Sequence, residues 1–403
     1  TSLSGGPVAE TGGLIIHISR LKNIIEINAD DMYCVVEPGV VLQRLNDTLK
    51  EHKLFYPPDP SSGFASTLGG NVAENAGGIR CFKYGVTANY VLGVECIMTD
   101  GTIRQFGGPA GGRGVSNTLD WRALMPGSEG MIAVFTKIWM RIKPLPEKVW
   151  TFLGSYKNLE DATACITDLV QSPAMPVALE FIDNHVVQLV ENSKMACGLD
   201  KDSWVILTEV DGPEQLVDHA ADTIEEIMNR HNPIKVEKTD DETEKLKLWK
   251  ARKVAGGLMG QISPDLMIQD AVIPRQFLKD ILHFLYDEGE KRDIHVLNVF
   301  HAGDGNLHPN FLFDRKIEGD LERVKDLGSA LMEKVIAYGG TLSGEHGIGN
   351  DKRDYIPKIF SVREVSAQSA ISEIFNPTHQ LNPEKVFPYR SFVGCCAAEK
   401  QNT

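Results

Sequence analysis

Apolar residues in the first third of the chain fall in short runs of the β type. Leu14–Ile18, Tyr33–Glu37 and Val91–Met98 are such runs, the last followed by the turn signal Asp100-Gly101. Between them, Val41, Leu45 and Leu49, with Leu42, recur at helical spacing and predict a helix over residues 41–52. Pro144 and Pro146 then punctuate the chain, and the pattern beyond them lengthens. Strands are expected at Val149–Ser155, Val205–Val210 and His295–His301, alternating with helices at Leu159–Val170, Glu214–Arg230 and Gln276–Glu288. A further helix is expected from Leu321 to Tyr338, where Leu321, Val324, Leu327, Leu331 and Val335 share a face and Gly339-Gly340 supplies the stop. The pattern predicts an α+β protein of two domains, 1–146 and 147–390, with a small polar tail over 391–403 and no internal repeat.

A length of 403 residues fits two cores better than one. The 42% hydrophobic and 24% charged residues are those of a soluble globular protein, and no apolar run is long enough to span a bilayer. A net charge of -14 argues against a nucleic-acid partner, yet one buried arginine suffices to hold a small carboxylate. Cys34, Cys81, Cys96, Cys165, Cys197 and the pair Cys395–Cys396 form no C-x-x-C motif. Internal iron–sulfur clusters are therefore not expected, and reduced thiols in a cytoplasmic protein are.

Three glycine- or proline-rich stretches stand out before residue 146. Pro57-Pro58-Asp59-Pro60-Ser61-Ser62 can only be an ordered loop. The run Thr67–Gly78 carries paired glycines at both ends, and Gly127-Ser128-Glu129-Gly130 makes another bare-backbone turn. Exposed N–H groups of this kind can cradle a pyrophosphate, although ordinary turns use the same residues. No strand–G-x-G-x-x-G–helix unit is present, so a nicotinamide site is not supported. The chain opens on Thr1-Ser2-Leu3-Ser4-Gly5-Gly6, which reads as the middle of a loop.

The strongest chemical pattern is His301-Ala302-Gly303-Asp304-Gly305-Asn306-Leu307-His308. An apolar strand runs into His301, Gly-Asp-Gly-Asn turns the chain, and Pro309–Phe313 leaves His308. Such a hairpin sets two imidazoles side by side, where they can share a metal. Gly344-Glu345-His346-Gly347-Ile348-Gly349 offers a carboxylate as third ligand. Two histidines and one carboxylate leave coordination positions open to substrate, and this ligand set suits zinc, manganese or iron.

These stretches together resemble the FAD-dependent D-2-hydroxyacid dehydrogenases, which include flavin D-lactate dehydrogenases, D-2-hydroxyglutarate dehydrogenases and the glycolate oxidase catalytic subunit. The resemblance implies an FAD-binding domain of the vanillyl-alcohol-oxidase type, its first part missing before Thr1. A ferredoxin-like α+β substrate domain follows, with residues of about 370–390 returning towards the flavin. Noncovalent FAD contacts are implied at Pro58, Asp59, Thr67, Gly69, Gly70, Asn71, Asn75, Gly78, Glu129, Gly130 and Asn382. Two residues depart from the family pattern: Ala133, after the Gly-Ser-Glu-Gly turn, and Glu384, each stand where glycine is usual. His301, His308 and Glu345 would hold a divalent metal, zinc or manganese before others, and His346 would be the base. Arg252 would bind the substrate carboxylate, with Asn310 as a further substrate contact. Electrons would pass to an iron–sulfur or second flavin subunit, an electron-transfer flavoprotein or a quinone, at the membrane only through such a partner. The alternatives are a truncated or non-redox relative of the alkyl-dihydroxyacetone-phosphate synthase kind, and a flavin-free metal-dependent hydrolase.

Overall fold

The computed structural model describes residues 3–10, 12–109 and 119–388; the expected polar tail and Cys395–Cys396 lie outside them. The chain forms two compact units. The first comprises residues 1–78, 85–145 and 345–403, and the second residues 79–84 and 146–344. The first unit thus resumes at Glu345.

In the first unit, β1 (Ile24–Asn28), β2 (Tyr33–Val36), β3 (Val91–Ile97), β4 (Ile103–Gly107) and β5 (Val134–Arg141) form an antiparallel sheet in the order β1-β2-β5-β3-β4. Helix α1 (Leu42–Lys50) buries the stripe Leu42, Leu45 and Leu49, each contributing about 1.5–3 kcal/mol by leaving water. Val41 is its N-cap rather than part of that stripe. The strand expected at Leu14–Ile18 does not form: this segment is irregular and exposes Leu14, Ile15 and Ile16, without a partner among the described strands. Helix α2 (Leu68–Glu74) occupies the middle of the glycine-rich run and ends on Asn75 in the left-handed conformation, φ 53°.

The second unit is built on an antiparallel sheet of nine strands. Its first half runs β6 (Lys148–Tyr156), α3 (Leu159–Gln171), β7 (Ala178–Ile182), β8 (Trp204–Gly212), α4 (Glu214–Arg230) and β9 (Pro233–Thr239), in the order β9-β6-β8-β7. With the short helix Asn184–Glu191 inserted between β7 and β8, this is the ferredoxin-like βαββαβ order. Helix α5 (Lys250–Ile262) follows, and then a second set: β10 (Asp265–Ile268), β11 (Ala271–Val272), α6 (Leu278–Lys291), β12 (His295–His301), β13 (Asn306–Leu307), β14 (Pro309–Phe313) and α7 (Asp320–Ala337). Here β14 lies between β12 and β10, and an isolated bridge joins Val272 to Thr341 beyond α7. The topology of the first half is therefore nearly repeated, although the sequence carries no repeat. The halves meet edge to edge where β7 pairs with β12, in the register Val299 to Ile182, Phe300 to Phe181 and His301 to Glu180.

The short segment Ile79–Tyr84 is tied to the second unit by Lys83 and Tyr84, whose Nζ and hydroxyl donate to the Asp211 carboxylate at 2.6 and 3.0 Å. Phe82 of this segment lies under the His301–His308 turn: a Cβ on Gly303 would stand 3.0 Å from Phe82 Cγ and 3.3 Å from Leu179 Cβ. Gly303→Ala is therefore expected to destabilise the protein by about 1–3 kcal/mol through overpacking. Chemical denaturation reads this directly, and an unchanged midpoint would show that the contact is slack.

Candidate active site

Within the second unit, β12 delivers His301 to the end of the strand, and Ala302-Gly303-Asp304-Gly305 turns the chain so that Asn306 pairs back with His301. Gly305 has φ 76°, and a Cβ there would stand 2.4 Å from the Ile273 carbonyl oxygen, so both conformation and packing require glycine. The turn brings the His301 and His308 rings together, centroids 5.1 Å apart and planes at 89°. Both residues are buried.

Two carboxylates that sequence reasoning missed stand behind these rings. Glu180 is fully buried, and its Oε1 lies 2.6 Å from His301 Nδ1 while Oε2 accepts from Arg252 Nε at 2.8 Å. Burial alone would raise the Glu180 carboxyl, but the charges of His301 and Arg252 more than offset it and hold it below the usual carboxylate range. When the His301 ring is neutral, this bond to an ionised carboxylate selects the Nδ1–H tautomer, whose lone pair on Nε2 is the arrangement of a metal-ligating histidine. Asp270, also fully buried, accepts from Ser343 Oγ at 2.6 Å and from the Gly344 N–H at 3.0 Å, with its other oxygen 3.9 Å from His308 Nδ1. A signal was present for both. Each is an acid within an apolar stretch, Val177–Ile182 and Leu266–Ile273, where a charge needs a partner.

Arg252 sits in the first turn of α5 with its side chain 17% exposed. The start of that helix is anchored by Trp249, whose indole N–H donates to buried Glu209 at 2.7 Å. Among the described residues Arg252 bonds through Nε, which leaves its terminal guanidinium nitrogens for a ligand. Asn310 is differently placed. Its amide nitrogen donates to the carbonyls of His308 (2.6 Å) and Leu297 (3.2 Å), so its donors fix the backbone beside His308.

In the first unit the glycine-rich stretches converge although they are far apart in sequence. Gly127 and Glu129 donate their N–H groups to the Val72 and Ala73 carbonyls at 2.9 and 2.8 Å, which docks the Gly127–Gly130 turn on α2. The Glu129 carboxylate, itself buried, accepts from the N–H groups of Ile348 and Gly349, both at 2.7 Å. Burial raises its pKa, and these two bonds oppose the rise. Asn382 Nδ2 donates to the Glu129 carbonyl at 2.5 Å, and Ser4 Oγ to the His346 carbonyl at 2.7 Å. These bonds are why the chain rejoins this unit at Glu345. Glu384 takes the left-handed conformation at φ 63°.

The expected flavin contacts divide by what already occupies them. A Cβ on Gly69 would strike Pro38 at 2.5 Å, and one on Gly78, φ 119°, would strike the Asp59 carbonyl oxygen at 2.1 Å. Their bareness serves the packing of the cradle itself. Gly70 would meet Thr67 Oγ1 at 3.3 Å, the hydroxyl that caps α2, and a Cβ on Gly130 would stand 3.6 Å from Asn382. Asn75 Oδ1 accepts from the Ala88 N–H at 2.8 Å. Pro58 is buried beside half-buried Asp59. By contrast, Asn71 Nδ2, Ser66 Oγ and Ser128 Oγ are buried without a hydrogen-bond partner. Orphaned polar atoms around a glycine-rich cradle fit a polar ligand such as a dinucleotide.

Residues 145–386 match the FAD linked oxidases, C-terminal domain, and residues 1–107 match the FAD binding domain. The chain is 36% identical over 389 residues to glycolate oxidase subunit GlcD of Escherichia coli (strain K12), covering 96% of this chain and 77% of that protein. It is 30% identical over 400 residues to the D-lactate dehydrogenase of Anaerostipes hadrus, covering 96% of this chain and 82% of the relative. In fold it resembles 4-ethylphenol oxidase from Gulosibacter chungangensis, with a TM-score of 0.73 at 18% identity over 92% of this chain and 79% of the other. The fold is thus of the vanillyl-alcohol-oxidase type, and the chain belongs to the family of FAD-linked oxidases that contains this glycolate oxidase subunit and this D-lactate dehydrogenase.

Proposed function

We propose that this protein oxidises a D-2-hydroxyacid of the glycolate or D-lactate class to the 2-oxoacid, using noncovalent FAD and a divalent metal. The observation that carries this reading is the pairing in the second unit of two buried imidazoles, His301 and His308, with a guanidinium, Arg252, tied to them through one carboxylate. Names of the relatives support the substrate class. His301 and His308 would hold the metal together with Glu345, which follows Gly344 directly in the chain.

Oxidation of an α-hydroxyacid removes a proton from the hydroxyl and a hydride from the α-carbon. The bound groups supply a two-electron acceptor, in FAD, and Lewis acidity that lowers the hydroxyl pKa, in the metal. The protein's own residues do the rest. Arg252 presents its terminal nitrogens to the substrate carboxylate in a charge-assisted fork. His346 accepts the hydroxyl proton, a role suited to an imidazole near neutral pH. Glu129 holds the backbone that follows it. Electrons then leave to a separate acceptor: an iron–sulfur or second flavin subunit, an electron-transfer flavoprotein or a quinone. No helix among the described residues is long and apolar enough to cross a membrane.

A panel of D- and L-2-hydroxyacids with an artificial acceptor tests the reading. Anaerobic bleaching of the flavin by a D-isomer supports it, and a preference for L-isomers overturns it. In the same assay Arg252→Lys is expected to raise KM roughly 10- to 100-fold with a smaller change in kcat, because the bidentate hydrogen bonds are lost while the charge stays.

A further inference from the structure

Glu180 has a position that neither the metal reading nor the substrate reading uses. It lies on β7, whose five residues are all buried, at the seam between the two halves of the second unit. A carboxylate there must be satisfied by its neighbours, and it is. His301 is its direct cross-strand partner and reaches one oxygen at 2.6 Å; Arg252, from the separate helix α5, reaches the other at 2.8 Å. Arg252 Nε is a donor, and opposite an ionised carboxylate His301 Nδ1 is one too. An amide in the same place could satisfy both only by turning its N–H to His301, which selects the other imidazole tautomer and puts the proton on Nε2.

A buried ion pair of this kind is poor evidence for added stability, since removing charges from water offsets most of their attraction. What the arrangement does provide is alignment. The bond to His301 fixes ring orientation and tautomer, and a carboxylate behind a ligating imidazole raises its basicity. The bond to Arg252 fixes the plane of a guanidinium whose terminal nitrogens are otherwise open. Asp270 does not duplicate this role at the second histidine, standing 3.9 Å from His308 Nδ1, beyond hydrogen-bond reach.

Resting on the function proposed above, we infer that Glu180 is the positioning residue that locks the metal-ligating imidazole of His301 and the carboxylate-binding guanidinium of Arg252 into one fixed relation. Metal loading and substrate anchoring then depend on the same buried group. A hydroxyacid that engages both centres has a fixed spacing to span, which sets the distance between its hydroxyl and its carboxylate and favours 2-hydroxyacids over 3-hydroxyacids.

The test is Glu180→Gln in flavin-loaded protein stripped of metal by a chelator and titrated with zinc(II) or manganese(II). Metal affinity is expected to fall about 10- to 100-fold in the absence of substrate. At saturating metal, KM for the 2-hydroxyacid is expected to rise roughly 10-fold, with kcat changing less. Glu180→Asp keeps the charge one methylene short and should lie between the two; it carries the test if the glutamine variant does not fold. Adding Glu180→Gln to Arg252→Met should weaken metal binding as before while leaving KM where Arg252→Met alone puts it. Metal affinity and KM both within about two-fold of the parent, or a change in only one of them, would overturn the bridging role. His301→Ala separates this from the wider reading: if it loses metal while Glu180→Gln binds normally, the metal site stands and the inference fails. If His301→Ala binds metal as the parent does, the metal site itself is wrong.

Discussion

Replacement of His346 by alanine is expected to lower kcat for the preferred 2-hydroxyacid by about 10²–10⁴-fold, the range that positioned general-base catalysis supplies, while flavin content stays unchanged. The variant is informative because the backbone around the residue is held independently of its ring. Ser4 Oγ bonds the His346 carbonyl, and the Glu129 carboxylate bonds the next two amides after Gly347. Gly347 has φ 85° and no room for a side chain, a Cβ there standing 2.3 Å from Glu74 Oε2, so the loop's course is fixed by packing rather than by the imidazole. Loss of the ring should therefore remove the proposed proton acceptor without changing the course of the backbone. Steady-state rates across pH, with flavin absorbance as the internal control, measure the effect. Turnover within a few-fold of the parent would show that the proton goes elsewhere.

The second large effect is expected from His301→Ala. A first ligand should matter more than the outer partners that orient it, so metal affinity should fall by at least about 100-fold. Elemental analysis after desalting, together with titration of zinc(II) or manganese(II), reads this without any turnover assay. Substrate oxidation should fall in parallel and recover only at high added metal. Retention of bound metal by the variant would remove His301 from the ligand set and send the search to Asp270 and His308, whose facing atoms lie 3.9 Å apart.

The hairpin around His301 and His308 was legible because three independent signals coincide there: apolar runs on either side, turn residues between, and ligand-type side chains at both strand ends. The helices were legible for the same reason, since α4 and α7 each carry a stripe of apolar residues at helical spacing. Leu14–Ile18 shows where this reasoning fails. Its apolar run satisfies the local rule for a strand, but a strand exists only when another strand pairs with it, and none of the described ones does. The near-repeat in the second unit escaped for a related reason. Topology is set by which edges pair, and the two halves reach one strand order with unrelated side chains. Arg252 stands in the lysine-rich run Lys245–Lys253, where nothing local marks it apart from the resemblance; in the fold Glu180 stands behind it. Glu180 itself is a single letter in an apolar strand, and no periodicity marks which partner will neutralise it. For Asn310, where the resemblance implies a substrate contact, the bonds of its amide donors to two backbone carbonyls are a use of asparagine that only coordinates reveal.

The seam between β7 and β12 limits how the alignment of Glu180 with His301 can vary. Glu180 faces His301 because of a count of backbone hydrogen bonds, not because of side-chain adjustment. Slipping one strand by a single residue would turn its side chains to the opposite face, so the alignment changes in whole steps and tolerates no intermediate setting. Single-residue insertions or deletions within β7 or β12 should be excluded from functional variants. Changes of length in the loop before α4, or between α5 and β10, leave the count untouched. The chemistry is in that sense digital, with its error margin set by the pleat of a strand.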